Sequence, residues 1–197
     1  MIWLFGETSD FSKSLLNELK KKNDDIETFG RRNISYIEYV RSEINLNETL
    51  PDKVIVNINL NPQLSLMKGD KWVKPLQVIY FISDLLQAFY ESGKDITVVY
   101  ITSSIAVNRS PEKYFLKHKD YISIRQTQQA MWSSYDLNKL KVLGVSPSNI
   151  DGKNMQKYSE RIVGFLYDTP PVRKSLIDLS WHNGTKDEWV ELYKVDK

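Results

Sequence analysis

The chain has 197 residues, 41% of them hydrophobic and 12% aromatic, which is the composition of a globular protein long enough for one ordinary core and not of a disordered segment. Its formal net charge of +2 gives no electrostatic case for a nucleic-acid partner, and its lack of cysteine removes disulfides, thiolate metal sites and cysteine nucleophiles together. The histidines, His118 and His182, stand apart with no carboxylate cluster beside them, so no metal site is expected.

Met1 to Phe5 is a short apolar run of β-forming residues that stops at Gly6. From Phe11 the apolar positions are Phe11, Leu15, Leu16 and Leu19, which is helical spacing, and Thr8, Ser9 and Asp10 stand where an N-cap belongs. The stretch therefore predicts a strand, a tight turn and a helix. Such a turn aims free backbone N–H groups and the positive end of a helix at one spot, where phosphate is a natural guest. The alternative is a buried corner with no ligand. Because the opening residues already read as a core strand, no signal peptide is expected.

The helix closes on Lys20, Lys21, Lys22 and Asn23, cations and a cap residue suited to a helix C-terminus. Ile26 to Phe29 predicts a second strand, followed at once by Gly30, Arg31 and Arg32. Residues 34–46 fit either a helix or an edge strand. Val54 to Ile58 is a continuous apolar run, typical of a strand covered on both faces. A helix is predicted from about Pro75 to Ser92, with proline in its first turn and Gly93 just past its end. Its apolar core, Leu76 to Tyr90, is interrupted by Asp84 and too short to span a bilayer. A soluble, cytoplasmic protein with no membrane partner is expected.

Ile96 to Ile101 is a further strand, ending in Thr102, Ser103 and Ser104; a helix from about Tyr121 to Tyr135 follows. Lys141 to Val145 reads as a strand stopped by Ser146 and Pro147, Asn154 to Leu166 as a helix, and Trp189 to Val195 as a last strand. Strands alternating with helices imply an α/β fold, a Rossmann-like doubly wound parallel sheet in three α/β/α layers. Ligands of such sheets sit at the carboxyl ends of the strands, where Gly6, Gly30, Asn57 and Ser104 fall. No repeat, low-complexity tract or linker divides residues 1–197, so a single domain is expected, with a short atypical ending over about 153–197.

In this order the landmarks resemble the short-chain dehydrogenase/reductase family over roughly Met1 to Gly152. Gly6-Glu-Thr-Ser-Asp-Phe-Ser12 occupies the place of the family's glycine-rich turn, with Asp10 and Ser12 where two further glycines are usual. A glycine, five residues and a serine is similar to the divergent turn of the enoyl-acyl-carrier-protein reductase branch. The resemblance implies that Gly6, Thr8, Ser9, Asp10, Phe11 and Ser12 hold a cofactor diphosphate. Gly30-Arg31-Arg32 resembles the NADPH-preferring members, because guanidinium groups suit a 2′-phosphate where an acidic residue would accept from a ribose hydroxyl. NADP is thus implied in preference to NAD; a pair of solvated surface arginines is the alternative.

Val56-Asn57-Ile58-Asn59 resembles the family's Asn-Asn-Ala-Gly segment, placing Asn57 under the adenosine side. Ile101-Thr-Ser-Ser-Ile-Ala106 is similar to the strand ending whose second serine, here Ser104, touches the substrate carbonyl. Tyr121-Ile-Ser-Ile-Arg125 resembles the Tyr-x-x-x-Lys signature with arginine in place of lysine; Tyr114 is an alternative position for the tyrosine. Val145-Ser-Pro-Ser-Asn-Ile-Asp151 resembles the stretch beside the nicotinamide, implicating Pro147 and Ile150.

The implied chemistry is hydride transfer between nicotinamide and a small carbonyl or hydroxyl substrate, with Tyr121 moving the matching proton and Ser104 holding the oxygen. A phenol of pKa ~10 needs a neighbouring cation to act near neutral pH. A charge ~6 Å away at an effective dielectric of ~20 lowers it by about two pK units, a field Arg125 is placed to supply. Arginine is a planar fork that cannot relay a proton, and the asparagine usual in the preceding helix is absent. A second expectation is therefore a catalytically weak nucleotide-binding protein with a sensing or interaction role. Family members often pair through the helices here at about 75–92 and 121–135, which implies a homodimer or homotetramer.

Overall fold

Every residue of the opening strand, β1 (Ile2–Phe5), is buried, because it is covered on both faces. Ile2 and Leu4 point into one apolar layer and Trp3 and Phe5 into the other, the two-residue period of a strand. β1 pairs in parallel with β2 (Ile26–Phe29) on one side and β3 (Lys53–Val56) on the other, with Phe5 opposite Phe29 and Val56. β4 (Ile96–Ile101), β5 (Leu140–Pro147), β6 (Lys174–His182) and β7 (Lys186–Glu191) continue the sheet in the order β2-β1-β3-β4-β5-β6-β7. All neighbours are parallel except β6 and β7. The computed structural model describes residues 1–6, 9–22, 25–30, 50–58, 73–102, 122–123, 125–128, 130–131, 140–147, 150, 152–168, 174–182 and 186–191.

The sheet lies between two helical layers. On one face, α2 (Val73–Ser92) buries Phe81, Ile82, Leu85, Leu86 and Phe89 against Trp3, Phe5, Val54, Val56 and Val98. The spacing of those five is one stripe of a helix, and each contributes roughly 1.5–3 kcal/mol by leaving water. The rings of Phe5 and Phe29 stack at 4.7 Å, with Trp3 edge-on to Phe29 at 5.1 Å. On the other face, α1 (Asp10–Lys20) and α3 (Met155–Tyr167) bury Phe11, Leu15, Leu19, Tyr158, Ile162 and Leu166 against Ile2, Leu4, Ile55, Val99 and Val145. The two helices touch through small residues, with Ser159 Oγ donating to Ser14 Oγ at 2.8 Å. This is the three-layer doubly wound α/β sheet that the alternation of elements predicts.

The chain runs outward from β1 to β2 and then returns to β3 on the opposite side of β1, so strand order reverses between β1 and β3. Ligands of open α/β sheets bind outside the carboxyl ends of the strands at such a reversal.

Several boundaries differ from expectation. The strand read as Val54 to Ile58 is Lys53–Val56, which leaves Asn57 and Ile58 past its end. The strand expected to stop at Val145 runs on through Ser146 to Pro147, because β6 continues alongside it and pairs Pro147 with Leu179. β6 itself was not anticipated. The last strand, expected over Trp189 to Val195, is described from Lys186 to Glu191 and pairs antiparallel with β6; residues 192–195 lie outside the described residues. Residues 34–46 lie outside the described residues. Among the described residues, no helix is long and apolar enough to cross a membrane.

Candidate functional site

At the end of β1 the backbone turns through Gly6 with φ +95°, a region that side chains disfavour. A Cβ on Gly6 would lie 1.9 Å from the backbone carbonyl oxygen of Asn57, so β1 and the end of β3 approach as closely as they do only because this residue is glycine. Gly6 N–H donates to the Phe29 carbonyl at 2.7 Å and Asn57 N–H to the Phe5 carbonyl at 2.9 Å, which extends both parallel ladders by one residue.

α1 then starts at a capped end. Ser9 is extended (φ −84°, ψ 154°), and its Oγ accepts the Ser12 N–H at 3.0 Å. The Lys13 N–H takes the Ser9 carbonyl. Of the first helical N–H groups, those of Asp10 and Phe11 are left without an intrahelical acceptor, as the geometry of any helix start requires. Asp10 is exposed, and its carboxylate receives Lys13 Nζ at 3.0 Å; an acidic side chain here also suits the positive helix end. Phe11 turns inward and anchors the first turn in the core.

Beneath the turn, Ser12 is fully buried and Asn57 is 3% exposed. Asn57 Nδ2 donates to Ser12 Oγ at 2.7 Å and to Ser9 Oγ at 3.3 Å, and Ser12 Oγ donates to the Gly6 carbonyl. One polar cluster thus joins the end of β1, the first turn of α1 and the end of β3.

The carboxyl ends of β4 and β5 are different in character. Thr102 N–H donates to the Val145 carbonyl at 2.8 Å, which brings Thr102 alongside Ser146. Thr102 Oγ1 and Ser146 Oγ are both buried with no hydrogen-bond partner among the described residues. An unmet buried hydroxyl costs about 1–3 kcal/mol. Beside Thr102 lies a cavity with space for about one water, lined also by Val56, Ile82, Tyr100, Arg125 and Gln128. Arg125 is 4% exposed; its Nη1 donates to Gln128 Oε1 at 3.3 Å and to the carbonyl of Ile101, the last residue of β4, at 3.5 Å. Burial pushes the Tyr100 phenol far above its ordinary pKa, so it stays protonated and is unsuited to proton transfer.

The structure therefore brings Gly6, Ser9, Ser12 and Asn57 into direct contact, with Asp10 and Phe11 on the same helical turn. It places Arg125 under the end of β4, in the sheet layer shared with α2. Pro147 is the last residue of β5, and Ile150 is half-buried against the α1–α3 layer. Thr8, Arg31, Arg32, Ser104, Tyr114 and Tyr121 lie outside the described residues. Sequence reading passed over Thr102, Ser146 and Gln128. The signal available for the first two was a hydroxyl at each of two predicted strand ends, which is too common to single out.

No protein-family model matches the chain, and no curated protein matches it in sequence. Solved structures do match in shape. A carbonyl reductase from Pseudomonas aeruginosa PAO1 in complex with NADP superposes with a TM-score of 0.70 at 11% identity, over 90% of this chain and 96% of that one. A short-chain dehydrogenase/reductase from Vibrio parahaemolyticus does so with a TM-score of 0.61 at 14% identity, over 87% and 95%. The fold is that of the short-chain dehydrogenase/reductases. A 4-hydroxyisoleucine dehydrogenase complexed with NADH and succinate shares the same fold, with a TM-score of 0.62 at 13% identity over 84% of this chain and 90% of that one. Within the short-chain dehydrogenase/reductase fold of this chain, the β1–α1 corner and the ends of β4 and β5 lie along one edge of the sheet.

Proposed function

We propose that the chain is a divergent short-chain dehydrogenase/reductase of a single domain. In this reading it binds NADP and transfers a hydride between the nicotinamide and a small carbonyl or hydroxyl compound. The observation that carries this reading is the β1–α1 corner beside the strand-order reversal. The residues there fit a diphosphate: the N–H groups of Asp10 and Phe11 lie at the helix end where oxyanions are held, and Gly6 sets the turn that leads into it. The two hydroxyls at the ends of β4 and β5 that have no partner among the described residues also support a ligand along this edge. The NADP and NADH named for two of the similar structures favour a nicotinamide cofactor.

Gly6, Thr8, Ser9, Asp10, Phe11 and Ser12 form the diphosphate corner, Arg31 and Arg32 receive the 2′-phosphate, and Asn57, Pro147 and Ile150 flank the remainder of the cofactor. Bound NADP supplies or accepts the hydride. Ser104 holds the substrate oxygen by hydrogen bonding, and Tyr121 delivers or removes the proton at that oxygen. Arg125 supplies positive charge from beneath the end of β4, in the place of the family's lysine. The protein acts in the cytoplasm as a homodimer or homotetramer that pairs through α2 and the helix carrying Arg125; the exposure of Tyr80, 64%, on α2 favours that surface.

Titrating NADPH and NADH by their fluorescence, followed by turnover across a panel of aldehydes, ketones and alcohols, tests the reading. NADPH binding that weakens about tenfold on Arg31→Ala together with Arg32→Ala, and measurable turnover, are expected. Absence of binding by either dinucleotide overturns it. A second reading, a nucleotide-binding protein without turnover, is favoured by the burial of Arg125 against the Ile101 carbonyl. Arg125→Lys separates the two: turnover retained or raised marks an enzyme, whereas tight binding with no turnover in either form marks a sensor.

A further inference from the structure

The polar cluster at the β1–α1 corner is closed in a way that glycines cannot reproduce. By donors and acceptors, Ser12 Oγ gives its proton to the Gly6 carbonyl and receives Asn57 Nδ2–H at 2.7 Å and Ser9 Oγ–H at 3.0 Å. Ser9 Oγ in turn accepts the Ser12 N–H at 3.0 Å and an Asn57 Nδ2–H at 3.3 Å. Ser12 is the hub: with no hydroxyl there, Asn57 Nδ2 keeps only the longer contact and the Gly6 carbonyl loses its side-chain donor. Both hub residues are buried, so water cannot take over these bonds without opening the corner.

We propose that Ser12 and Asn57 act as positioning residues. Together they fix the first turn of α1 against β1 and β3, and so set the spacing between Gly6 and the N–H groups of Asp10 and Phe11. The turn is shaped by a serine–asparagine lock. Replacing Ser12 with glycine, the residue more usual at this place in similar turns, therefore damages the corner instead of improving it. The part of this proposal that concerns dinucleotide affinity rests on the function proposed above; the part that concerns the corner itself does not.

The test uses Ser12→Ala, which removes the hydroxyl and keeps a good helix former, together with Ser12→Gly, Asn57→Ala and the Ser12→Ala/Asn57→Ala double variant. Thermal unfolding of the ligand-free proteins and NADPH titration are the two readouts. A Tm lowered by about 2–4 °C is expected for each single variant, with the double variant falling by clearly less than the sum. NADPH affinity should weaken about tenfold in both Ser12 variants. Leu19→Val, in the core at the far end of α1, provides the matched control: it lowers Tm and leaves affinity unchanged, so a loss of binding in the Ser12 variants at equal stability marks positioning and not general loosening.

A Ser12→Ala protein with unchanged Tm, additive Ser12 and Asn57 losses, or a Ser12→Gly protein that binds NADPH more tightly overturns the proposal. If the unsubstituted protein binds no dinucleotide, the proposed function falls. The lock is then decided by unfolding alone, upheld by a non-additive loss and overturned by an additive one.

Discussion

The two ends of the candidate site are built on opposite terms. At the β1–α1 corner each hydroxyl and amide group of Ser9, Ser12 and Asn57 has a partner, and the backbone fits with no room to spare around Gly6. A few strands away, Thr102 and Ser146 have buried hydroxyls with no partner among the described residues. The corner is closed by its own side chains, whereas the described residues leave the cost of burying the Thr102 and Ser146 hydroxyls unrecovered. Unrecovered cost of this kind accumulates where function requires a group that stability does not. If the function proposed above holds, the corner acts as a preformed holder for the cofactor, and the β4–β5 edge faces the substrate.

The largest effect that tests this contrast is at Gly6. Gly6→Ala must either push the Asn57 carbonyl away or abandon the left-handed turn, and it breaks the Gly6-to-Ser12 bond geometry in doing so. Strain and overpacking together predict a loss of about 3–5 kcal/mol, read as a large fall in the denaturation midpoint. A loss under about 1 kcal/mol would mean that the corner yields easily and is no preformed holder.

At the other end the sign reverses. Thr102→Val keeps the side-chain shape and deletes a hydroxyl that has no partner among the described residues, and Ser146→Ala does the same on the neighbouring strand. Both changes are expected to leave stability unaltered or raise it by up to about 1 kcal/mol. Turnover, or dinucleotide affinity in a protein without turnover, is expected to fall. A destabilisation above about 1 kcal/mol in either variant would show that the hydroxyls have partners after all, and the contrast between the two ends would collapse.

How much of this was legible in sequence depends on the range of the interactions. The β1–α1 corner was readable because its signals are local: an apolar run, a glycine, a capping serine and helical spacing all fall between Met1 and Leu19. The serine at position 12 is equally visible, but its partner is not, since Asn57 lies 45 residues away and only the parallel pairing of β1 with β3 brings it underneath. Arg125 was read as the cation beside a catalytic tyrosine. Its contact with the Ile101 carbonyl again joins elements 24 residues apart. β6 is harder to read because Ser175, Asp178 and Ser180 interrupt Leu176, Ile177, Leu179 and Trp181, so it lacks the continuous apolar run that marks β1, β3 and β4. β7 is an edge strand whose Lys186, Asp187, Glu188 and Glu191 mute the apolar pattern; charge of this kind also guards an edge against pairing with other chains.

The smallest expected effect lies at the opposite, amino-terminal edge of the sheet, away from the site. The Met1 amine donates to Asp52 at 2.9 Å and lies 3.2 Å from Asp25, and Lys94 sits 3.4 Å from Asp52. The hydrogen bond from the amine, with the charges of the amine and Lys94, holds the Asp52 carboxyl below its usual range despite some desolvation; the same contact holds the amine above its own. A lowered acid contributes stability that is present above its unfolded pKa and lost as pH falls through the folded one. A raised amine contributes stability that is present below its unfolded pKa and lost as pH rises through the folded one. The two windows overlap between about pH 5 and 7. Asp52 is more than half exposed, so solvent screening limits the cost of Asp52→Asn there to under about 1 kcal/mol. The difference should shrink in acid, as the native carboxyl becomes protonated, and shrink again in base, as the amine loses its charge. A cost that stays constant from acid to base would assign the effect to the shape of the Asp52 turn and not to its charge. Dinucleotide affinity should not change in this variant at any pH, because the whole length of the strands separates Asp52 from the corner at Gly6.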